Sequence, residues 1–473
     1  MSTTAQILPS ADRYRPRFHF TPSSTWMNDP NGLIRHNGRW HLFFQNNPLG
    51  STHDNLSWGH AVSDDLATWE ELPVALEFAE DEMVFSGSIV HDAQNVSGLA
   101  PEGGAGPLVA FYTSAYGPQH PTHPGIQAQS IAYSTDDGLT WTRYPGNPVL
   151  DRGSQNFRDP KVSFHPETGT WIMLTVEALD HSVLVHTSSD LLTWEHASTF
   201  VDPAIDGGIW ECPDLLRVPV QDASGVHAGE AWVLILSTNP GGPAGGSGTY
   251  ALVGDFDGRS FTALGAPEPL DLGPDCYAAV SFSGVTGEPL MIGWMNNWDY
   301  VMETPTAPWR SSMTLPRRIR LAAEAGDVPR LRQQCVMPPV PATRRIDVTA
   351  QRAQLATLPA DEPFRLHGTL AVDSPLTLRL RFGEGSDAGE LVIEVDDRGR
   401  VTMDRSAAHE REFAPRYSRT APYQTAAGSE RIDVDLLVDR STAELLLDEG
   451  RAVMSMQIFP EPGPVTVLSE PAS

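Results

Sequence analysis

A short motif recurs in the first two thirds of the chain. Each copy places one or two Asp residues shortly before an aromatic residue, which is typical of a strand, a polar turn and a following strand. The four aromatic residues are Trp69, Trp141, Trp194 and Phe261, with spacings of 72, 53 and 67 residues. A repeat of this size indicates a propeller or a solenoid. At about 64 residues a unit, residues 15–335 hold roughly five units, which predicts a five-bladed β-propeller of four-stranded sheets.

The remaining third of the chain has a different pattern. A proline-rich stretch at 335–341, CVMPPVP, is typical of a linker. After it, segments such as 376–382 and 391–395 alternate apolar and polar residues between Gly-Asp turns, which indicates β-strands. We therefore predict a β-sandwich over residues 345–473. The predicted fold class is all-β, with the propeller followed by the sandwich.

The charge balance excludes several classes of partner. The chain has 32 Lys and Arg against 60 Asp and Glu, a formal net charge of −28. Nucleic-acid phosphates and anionic lipids are bound by basic surfaces, so we predict no nucleic-acid partner and no membrane partner. A run of about 18 apolar residues, the length of a membrane-spanning helix, does not occur in the sequence.

The cysteines and histidines do not indicate a cofactor. Cys212, Cys276 and Cys335 are sparse and form no CxxC pair, and the histidines show no ligand-like spacing. We therefore predict no metal site and no cofactor. The N-terminal segment lacks the apolar core of a signal peptide. This predicts a cytoplasmic protein, or a secreted one if a leader has been removed.

Three acidic residues lie within two positions of a proline. They are Asp29 in WMNDPNG, Asp159 in FRDPK and Glu211 in WECPD. Proline ends a strand ladder, which suits a carboxylate held at a strand end beside a cavity. A single Asp-Pro is more often only a turn, but three such motifs near Trp or Arg favour a site. Two carboxylates flanking one bond suit glycoside hydrolysis, although sequence spacing alone leaves their roles open.

These motifs resemble the signatures of glycoside hydrolase family 32, the β-fructosidases, which include invertases, exo-inulinases and levanases. The resemblance covers residues 18–320 in the family's own order, and the last ~130 residues match loosely. The other matching blocks are FFQNNP at 43–48, SWGHAVS at 57–63, FSGS at 85–88, QAQSIAYS at 127–134, DCYAA at 275–279 and the run 293–310. The family fold, a five-bladed propeller plus a sandwich, agrees with the independent repeat count.

The resemblance implies a role for each acid. Asp29 is the expected nucleophile, and Glu211 is the expected general acid that later acts as the general base. Asp159, beside Arg158, is the expected stabiliser of the transition state. Double displacement with retention then places the two reacting carboxyl groups ~5–5.5 Å apart. It also implies a raised pKa for Glu211 and a normal or low pKa for Asp29, because one must be protonated and the other ionised.

The resemblance also implies a set of sugar contacts. Amide and hydroxyl side chains suit a ligand rich in OH groups, and tryptophans suit an apolar wall. The expected contacts are Asn28, Gln45, Phe85, Ser86, Arg158, Asp275, Trp294 and Trp298. A lone tryptophan is more often core than subsite, and Phe85 and Ser86 are equally compatible with ordinary strand positions. Cys212 is expected to be a small buried neighbour of Glu211 rather than a nucleophile.

His53 departs from the family pattern. Related exo-acting enzymes usually have a tryptophan between the Asn-Pro-x-Gly turn and the Trp-Gly-His block, at the border of the sugar site. This chain has His53 at that spacing. We expect the change to affect substrate preference and the competition between water and a sugar as acceptor, without touching the three acids.

We therefore predict a retaining, exo-acting β-fructosidase that releases terminal fructose from inulin, levan, fructo-oligosaccharides and sucrose. A sucrose-specific invertase or a fructosyltransferase is the alternative within the family, because water and sugar compete for one intermediate. Outside it, the alternatives are a fructan-binding protein without catalysis and an inverting five-bladed arabinan hydrolase. The predicted partners are the saccharide substrates, and the protein is predicted to be a monomer or a homodimer.

Overall fold

The computed structural model describes residues 12–222, 224–323, 328–359, 361–385, 388–408, 416–461 and 463–472. These residues form almost exclusively β-strands, and the helical segments among them are two 3-10 turns, Asp12–Tyr14 and Val301–Glu303. No helix within these ranges is long and apolar enough to cross a membrane.

Three four-stranded antiparallel sheets follow one another along the chain, each strand pairing with the next. The first contains β1 (Trp26–His36), β2 (Arg39–Asn47), β3 (Ser57–Ser63) and β4 (Glu70–Leu76). The second contains β5 (Glu82–His91), β6 (Leu108–Tyr116), β7 (Gln127–Ser134) and β8 (Thr142–Arg143). The third contains β9 (Phe157–His165), β10 (Thr170–Glu177), β11 (Ser182–Ser188) and β12 (Glu195–Phe200).

The fourth and fifth blades share one ten-stranded sheet. Its strands are β13 (Ile209–Gln221), β14 (His227–Asn239), β15 (Gly248–Phe256), β16 (Phe261–Ala263), β17 (Glu268–Pro269), β18 (Tyr277–Ser281), β19 (Leu290–Met295), β20 (Ser312–Met313), β21 (Arg317–Ala322) and β22 (Arg330–Cys335). The blades merge because the ends of β13 and β21 pair in parallel, Val220 beside Leu321. The predicted five-bladed propeller is confirmed, with its last two blades joined.

The recurrent motif forms the same turn in different blades. Oδ1 of Asp65 accepts a hydrogen bond from the backbone nitrogen of Thr68 at 2.7 Å, and Oδ1 of Asp190 accepts one from Thr193 at 2.7 Å. The carboxylate thus provides an acceptor for backbone groups that the turn leaves without a ladder partner. This is the physical reason that Asp precedes the aromatic residue in these copies.

Backbone hydrogen bonds between the first and last blades close the propeller. Arg35 N donates to Ser283 O at 2.9 Å, and Ser283 N donates to Leu33 O at 2.8 Å. The first strands of the five blades, β1, β5, β9, β13 and β18, contact one another in turn around the axis. Side chains from five distant parts of the sequence therefore meet around one channel.

The C-terminal strands build a two-sheet sandwich, as predicted. One sheet has the order β23 (Ala342–Val348), β25 (Phe364–Ala371), β30 (Arg431–Asp439), β31 (Thr442–Leu447) and β32 (Ala452–Gln457). The other has the order β24 (Ala353–Leu358), β33 (Val465–Pro471), β26 (Leu376–Phe382), β27 (Gly389–Val395), β28 (Arg400–Ala407) and β29 (Tyr423–Gln424). Alternating apolar side chains form one core between the sheets. The domain boundaries themselves, at 335 and 345, stay a prediction.

Buried charged groups join the propeller to the sandwich. Arg405 of β28 pairs with Asp275 of the propeller, Nη1 to Oδ2 at 2.5 Å. His19 lies between Asp439 and Glu444, with each ring nitrogen 2.9 Å from a carboxylate oxygen. All five side chains are fully buried, and each charge faces an opposite one, as buried charges require.

Candidate active site

The five first strands are all irregular at the same level of the channel. Each has a register shift against its neighbour there, and a bulge of this kind redirects a side chain and ends regular pairing. The left-handed backbone of Asp159 (φ 62°) and Cys212 (φ 50°) belongs to these irregularities. The residues at or beside the five shifts are Asp29, Ser86, Asp159, Glu211 and Tyr277. The structure thus brings together the three acids that the sequence singled out.

Cys212 connects two of the acids. Its backbone nitrogen donates to Oδ2 of Asp159 at 2.9 Å. Its Sγ lies 3.6 Å from Oδ2 of Asp29 and 3.7 Å from Oδ2 of Asp159. Burial, together with the negative charges around it, raises the pKa of the Cys212 thiol, so the group stays neutral. This environment fits the expected small buried neighbour and not a nucleophile.

Asp29 lies at the floor of the site and is 8% exposed. Ser86 Oγ donates to its Oδ2 at 2.6 Å, and Asn28 Nδ2 donates to its Oδ1 at 3.1 Å. Burial, and then the charge of Glu211, raises the pKa of Asp29 to about 6, while these donors oppose the rise. The expectation of a normal or low pKa for Asp29 is therefore not met, because removal from water outweighs the two hydrogen bonds.

Asp159 faces Asp29 across the thiol of Cys212. Its backbone nitrogen donates to Oγ1 of Thr113 at 2.9 Å, and the same hydroxyl donates to the carbonyl of Ser86 at 3.3 Å. Burial is the main cause that raises the pKa of Asp159; the adjacent Arg158 lowers it, and the other two acids raise it. Three carboxyl groups in one buried space favour the retention of protons, since their charges repel one another.

Glu211 is the most open of the three acids, with 18% of its side chain exposed. Arg158 approaches its Oε1 through Nε and Nη2, both at 3.2 Å, and the Tyr277 hydroxyl donates to its Oε2. Arg158 Nη1 also donates to Oε1 of Gln127 at 3.3 Å. Glu211 is thus oriented by two side chains, Arg158 and Tyr277, while part of it remains accessible to a ligand or to water.

An aromatic wall adjoins the acids. Trp26 Nε1 donates to Oδ1 of Asn28 at 2.7 Å, and so links the wall to the partner of Asp29. The Trp298 ring is partly exposed and lies 6.0 Å from the Trp26 ring and 4.9 Å from the Trp294 ring. Trp294 is fully buried and donates to the carbonyl of Met27 at 3.2 Å, which makes it a support for the wall.

His53 joins this wall at its exposed side. Its ring lies edge-on, 5.1 Å from Trp298 and 5.6 Å from Trp26. Packing against the tryptophans lowers the pKa of His53, and the negative charges of Glu211 and Asp54 oppose the effect. The His53 imidazole is therefore neutral at the rim of the site. It lies close enough to Glu211 for the charge of Glu211 to act on it.

The remaining expected contacts have mixed surroundings. Gln45 is 1% exposed, its Nε2 donates to Val84 O at 3.0 Å, and its Oε1 has no partner among the described residues. Phe85 is partly buried, and its carbonyl accepts a hydrogen bond from Trp58 Nε1 at 3.0 Å. A buried acceptor without a partner, as in Gln45, is suited to a ligand donor.

Asp275 is not brought to the acids. It is fully buried, and its carboxylate binds Arg405 and accepts from the hydroxyl of Tyr300 and the backbone nitrogen of Gln457 (2.7 Å). These partners hold it at the interface with the sandwich. The expected role of Asp275 as a sugar contact has no support in this placement, because no carboxylate oxygen is left to face the channel.

Sequence reasoning missed Tyr277, which contacts Glu211 directly. Tyr277 lies two positions after Asp275 in the same block, DCYAA. Asp275 was predicted to be the sugar contact of this block because it carries a carboxylate. Gln127, at the start of another matching block, was also missed. Both residues lie in blocks that match the family, and this was the only sign of their role in the sequence. A matching block does not show which of its side chains faces the channel.

The residues present do not form an evident metal centre. Within the described ranges, no group of three or more His, Cys, Asp or Glu side chains is arranged to hold a metal ion. The site instead offers three carboxyl groups, of which Glu211 is the most exposed, together with a guanidinium and several hydrogen-bond donors. This set can hold a polyhydroxylated ligand, attack it with one carboxylate and protonate it with another.

Comparison with known proteins identifies the family. Residues 19–334 match the glycosyl hydrolases family 32 N-terminal domain, and residues 364–470 match the family 32 C-terminal domain. The chain belongs to glycoside hydrolase family 32. It is a glycoside hydrolase of the β-fructofuranosidase type, as the sequence motifs predicted.

Relatives and solved structures agree with this assignment. The chain is 37% identical to the extracellular exo-inulinase of Aspergillus awamori, over 94% of this chain and 90% of the relative. It is 38% identical to the levanase of Bacillus subtilis, over 95% of this chain and 67% of the relative. A fructofuranosidase from Schwanniomyces occidentalis complexed with fructose superposes with a TM-score of 0.86 at 30% identity, covering 99% and 97% of the two chains.

The predicted cytoplasmic location is wrong by this comparison. The Aspergillus relative is named an extracellular enzyme, which points to a secreted protein. The prediction rested only on the composition of the first residues, which carries no positive evidence for a location.

Proposed function

We propose that this enzyme is a retaining exo-β-fructosidase in which Asp29 is the nucleophile, Glu211 the acid and base, and Asp159 the stabiliser of the transition state. The proposal is carried by one observation: two carboxyl groups with unlike surroundings share a buried site. Asp29 lies at the floor, held by Ser86 and Asn28, and Glu211 lies at the open side. Unlike environments are what separate the nucleophile from the acid in such pairs.

The first step attaches the fructosyl unit to the enzyme. An Asp29 oxygen forms a bond to C2 of the terminal fructose while the bond from C2 to the leaving oxygen breaks. Glu211 gives its proton to that oxygen, so the leaving sugar departs neutral. Burial, and then the charge of Glu211, raises the pKa of Asp29, so the site is arranged to hold a proton next to the nucleophile.

The second step releases fructose. Glu211, now ionised and accessible from the channel mouth, takes a proton from water, and the water oxygen bonds to C2 as the bond to Asp29 breaks. Two inversions give net retention. In this proposal Asp159 and Arg158 hold sugar hydroxyls. Gln45, whose Oε1 has no partner among the described residues, and Trp298, backed by the buried Trp26, complete the pocket.

The depth of Asp29 and Asp159 supports action at chain ends. Both are at most 8% exposed on a floor formed by converging strands, so a terminal unit can reach them and the middle of a polymer cannot. The exo-inulinase and levanase relatives support fructans as substrates. A sucrose-specific invertase or a transferase is the second candidate, and the polar His53 on the wall is the observation that favours it.

Product analysis of sucrose, 1-kestose, inulin and levan digests tests the proposal. Free fructose as the sole early product from the polymers supports exo-hydrolysis, and proton NMR of the first-formed anomer must show retention. Asp29→Asn must lose activity by at least about a thousandfold, while the exposed Asp255→Asn serves as the control. An inverted anomer, or full activity in Asp29→Asn, would overturn the assignment of the nucleophile.

The role of Glu211 has its own test. A fructoside with an activated aryl leaving group needs little protonation. Glu211→Gln should therefore lose far less in the rate of the first step with that substrate than with sucrose. Equal losses on both substrates would contradict a general acid at this position.

A further inference from the structure

We propose that Tyr116, His120 and His123 form a distal saccharide platform, which binds fructosyl units beyond the bond that is cleaved. The inference rests on the proposed function and deepens it, because it makes oligomeric fructans rather than sucrose the preferred substrate class. Tyr116 ends β6, and His120 and His123 lie in the loop 117–126, which connects β6 to β7.

The three rings form one cluster, in which Tyr116 and His123 are stacked and His120 is tilted against both. The Tyr116 ring lies 4.4 Å from the His120 ring and 4.9 Å from the His123 ring, and the two imidazoles are 5.6 Å apart. The planes of Tyr116 and His123 differ by 23°. Each of the three residues is partly exposed. The cluster is thus a compact group of aromatic rings that is partly open to solvent.

The loop holds this surface in place. The backbone nitrogen of His123 donates to Nδ1 of His120 at 3.0 Å, and Gly125 N donates to Gly117 O at 3.1 Å across the base of the loop. Because Nδ1 of His120 accepts, its Nε2 carries the ring proton, and this donor has no partner among the described residues. The backbone of Tyr116 pairs with Glu82 of β5 and donates to Ile126 O at 3.0 Å, which fixes this residue in the blade. The platform is therefore preorganised.

A continuous set of contacts connects the platform to the acids. Tyr116 N donates to Ile126 O at 3.0 Å, beside Gln127. The Gln127 side chain accepts from Arg158, and Arg158 contacts Glu211. The loop therefore lies at the end of the second blade that adjoins Arg158 and Glu211. In the proposal, a fructan chain that leaves the pocket past Glu211 runs over this surface.

The second attachment of the platform is on the neighbouring blade. His123 Nδ1 lies 3.6 Å from Oδ2 of Asp151, and Ser154, three residues further along, accepts from Gln127 N at 2.8 Å. This segment leads directly into β9, which carries Arg158 and Asp159. The platform thus bridges two blades at the mouth of the channel instead of covering one blade alone.

The chemistry of the surface fits a saccharide. Ring faces bury the C–H side of a sugar, and a few polar groups at fixed positions bind its hydroxyls. Here the stacked rings provide the faces, and His120 Nε2–H provides a fixed donor. The two sugar units of sucrose fill the two positions that flank the cleaved bond. Only a longer fructan has further units that can reach the platform.

Chain-length dependence of the kinetics tests the platform. We expect His120→Ala to lower kcat/KM for inulin or levan, whichever the enzyme prefers, by about tenfold, mostly through KM, and kcat/KM for sucrose to stay within about twofold. The loss of kcat/KM on nystose should lie between the losses on sucrose and on the polymer. Tyr116→Leu, which removes the supporting ring, should give the same order of losses. The control is His91→Ala, which removes a half-exposed imidazole at the end of β5 away from the acids.

Two outcomes overturn the platform: an equal loss on sucrose and polymer, or no loss on any substrate. The proposed function fails separately, if the wild type releases no fructose from any substrate. The platform is then tested by binding of nystose and inulin to the Asp29→Asn protein in titration calorimetry. Weaker binding of both on adding His120→Ala, without a change for fructose, supports the platform, and unchanged binding rejects it.

Discussion

The hydroxyl oxygen of Ser86 lies 2.6 Å from Oδ2 of Asp29, the shortest polar contact that this buried carboxyl makes. This hydrogen bond opposes the burial that raises the pKa of Asp29 to about 6. The relationship ties the pH dependence of the enzyme to one hydroxyl group from a neighbouring blade.

Removal of that hydroxyl should shift the acidic limb of activity. The nucleophile must be ionised, so kcat/KM of the wild type should fall below about pH 6. In Ser86→Ala the pKa of Asp29 rises further and the limb moves to higher pH, with a loss of about 10- to 100-fold for a hydrogen bond to a charged group. A pH profile from 4 to 8 measures this. If the acidic limb of the Ser86→Ala profile did not shift, the limb would not report the ionisation of Asp29.

The Tyr277 hydroxyl should matter through Glu211. Tyr277→Phe removes a donor to Oε2 of Glu211, and we expect kcat to fall about tenfold with a smaller change in KM, since the acid is less well oriented. An activated aryl fructoside should suffer less. The matched control is Tyr423→Phe, which removes a tyrosine–carboxylate contact (2.5 Å to Asp448) from the sandwich. A loss on all substrates alike would argue for a general structural effect.

His53→Trp should change what the enzyme makes. The larger indole, packed against Trp26 and Trp298, replaces a polar rim by an apolar one. We expect the share of kestose among the products from concentrated sucrose to drop relative to free fructose, because an acceptor sugar loses polar partners and space. Chromatography of time courses measures the ratio, with His53→Phe as a smaller apolar comparison. An unchanged ratio would remove His53 from acceptor selection.

Arg405→Met should destabilise the protein rather than alter its chemistry. It leaves the carboxylate of Asp275 buried without a cation, which costs about 3–5 kcal/mol. The midpoint of urea unfolding should fall, while kcat/KM per folded enzyme stays close to that of the wild type. Asp275→Asn should behave in the same way. If Asp275→Asn instead raised KM at unchanged stability, the sugar-contact role expected from the sequence would be restored.

His19 should make stability depend on pH. Burial alone would lower the pKa of His19, but hydrogen bonds and charges of Asp439 and Glu444 outweigh it and raise the pKa from 6.5 to about 9. A raised pKa stabilises the folded state fully below pH 6.5, and the contribution, roughly 3 kcal/mol, is lost as the pH rises through 9. Urea midpoints between pH 6 and 10 should fall more for the wild type than for His19→Gln. Parallel curves would contradict this.

The site shows where sequence-based prediction succeeded and failed. Asp29, Asp159 and Glu211 were found because each lies in a short motif with its own local signal, a proline one or two positions later. The choice between Asp275 and Tyr277 was not possible, because strand alternation puts residues two apart on the same side. What separates them is that Asp275 precedes β18 and pairs with Arg405 of the sandwich. The pairing of Asp275 with Arg405 joins residues 130 positions apart and leaves no local trace.

The prediction of a normal or low pKa for Asp29 failed for a related reason. The value depends on burial and on the charge of Glu211, which comes from a different blade. Neither quantity is a property of the residues around position 29. By contrast, the number of blades was accessible, because Asp65 and Asp190 each close their turn with hydrogen bonds to residues two and three positions away.

The sequence by itself determined the all-β class, the five-fold repeat, the family and the three acids, since each depends on contacts within a few residues of one another. The tertiary structure alone decided which side chains face the channel, how Ser86 and Tyr277 orient the acids, and that Asp275 holds the sandwich. Those outcomes depend on desolvation and on distances between separate blades. Such quantities arise only when the propeller closes and the strands β1 and β18 meet.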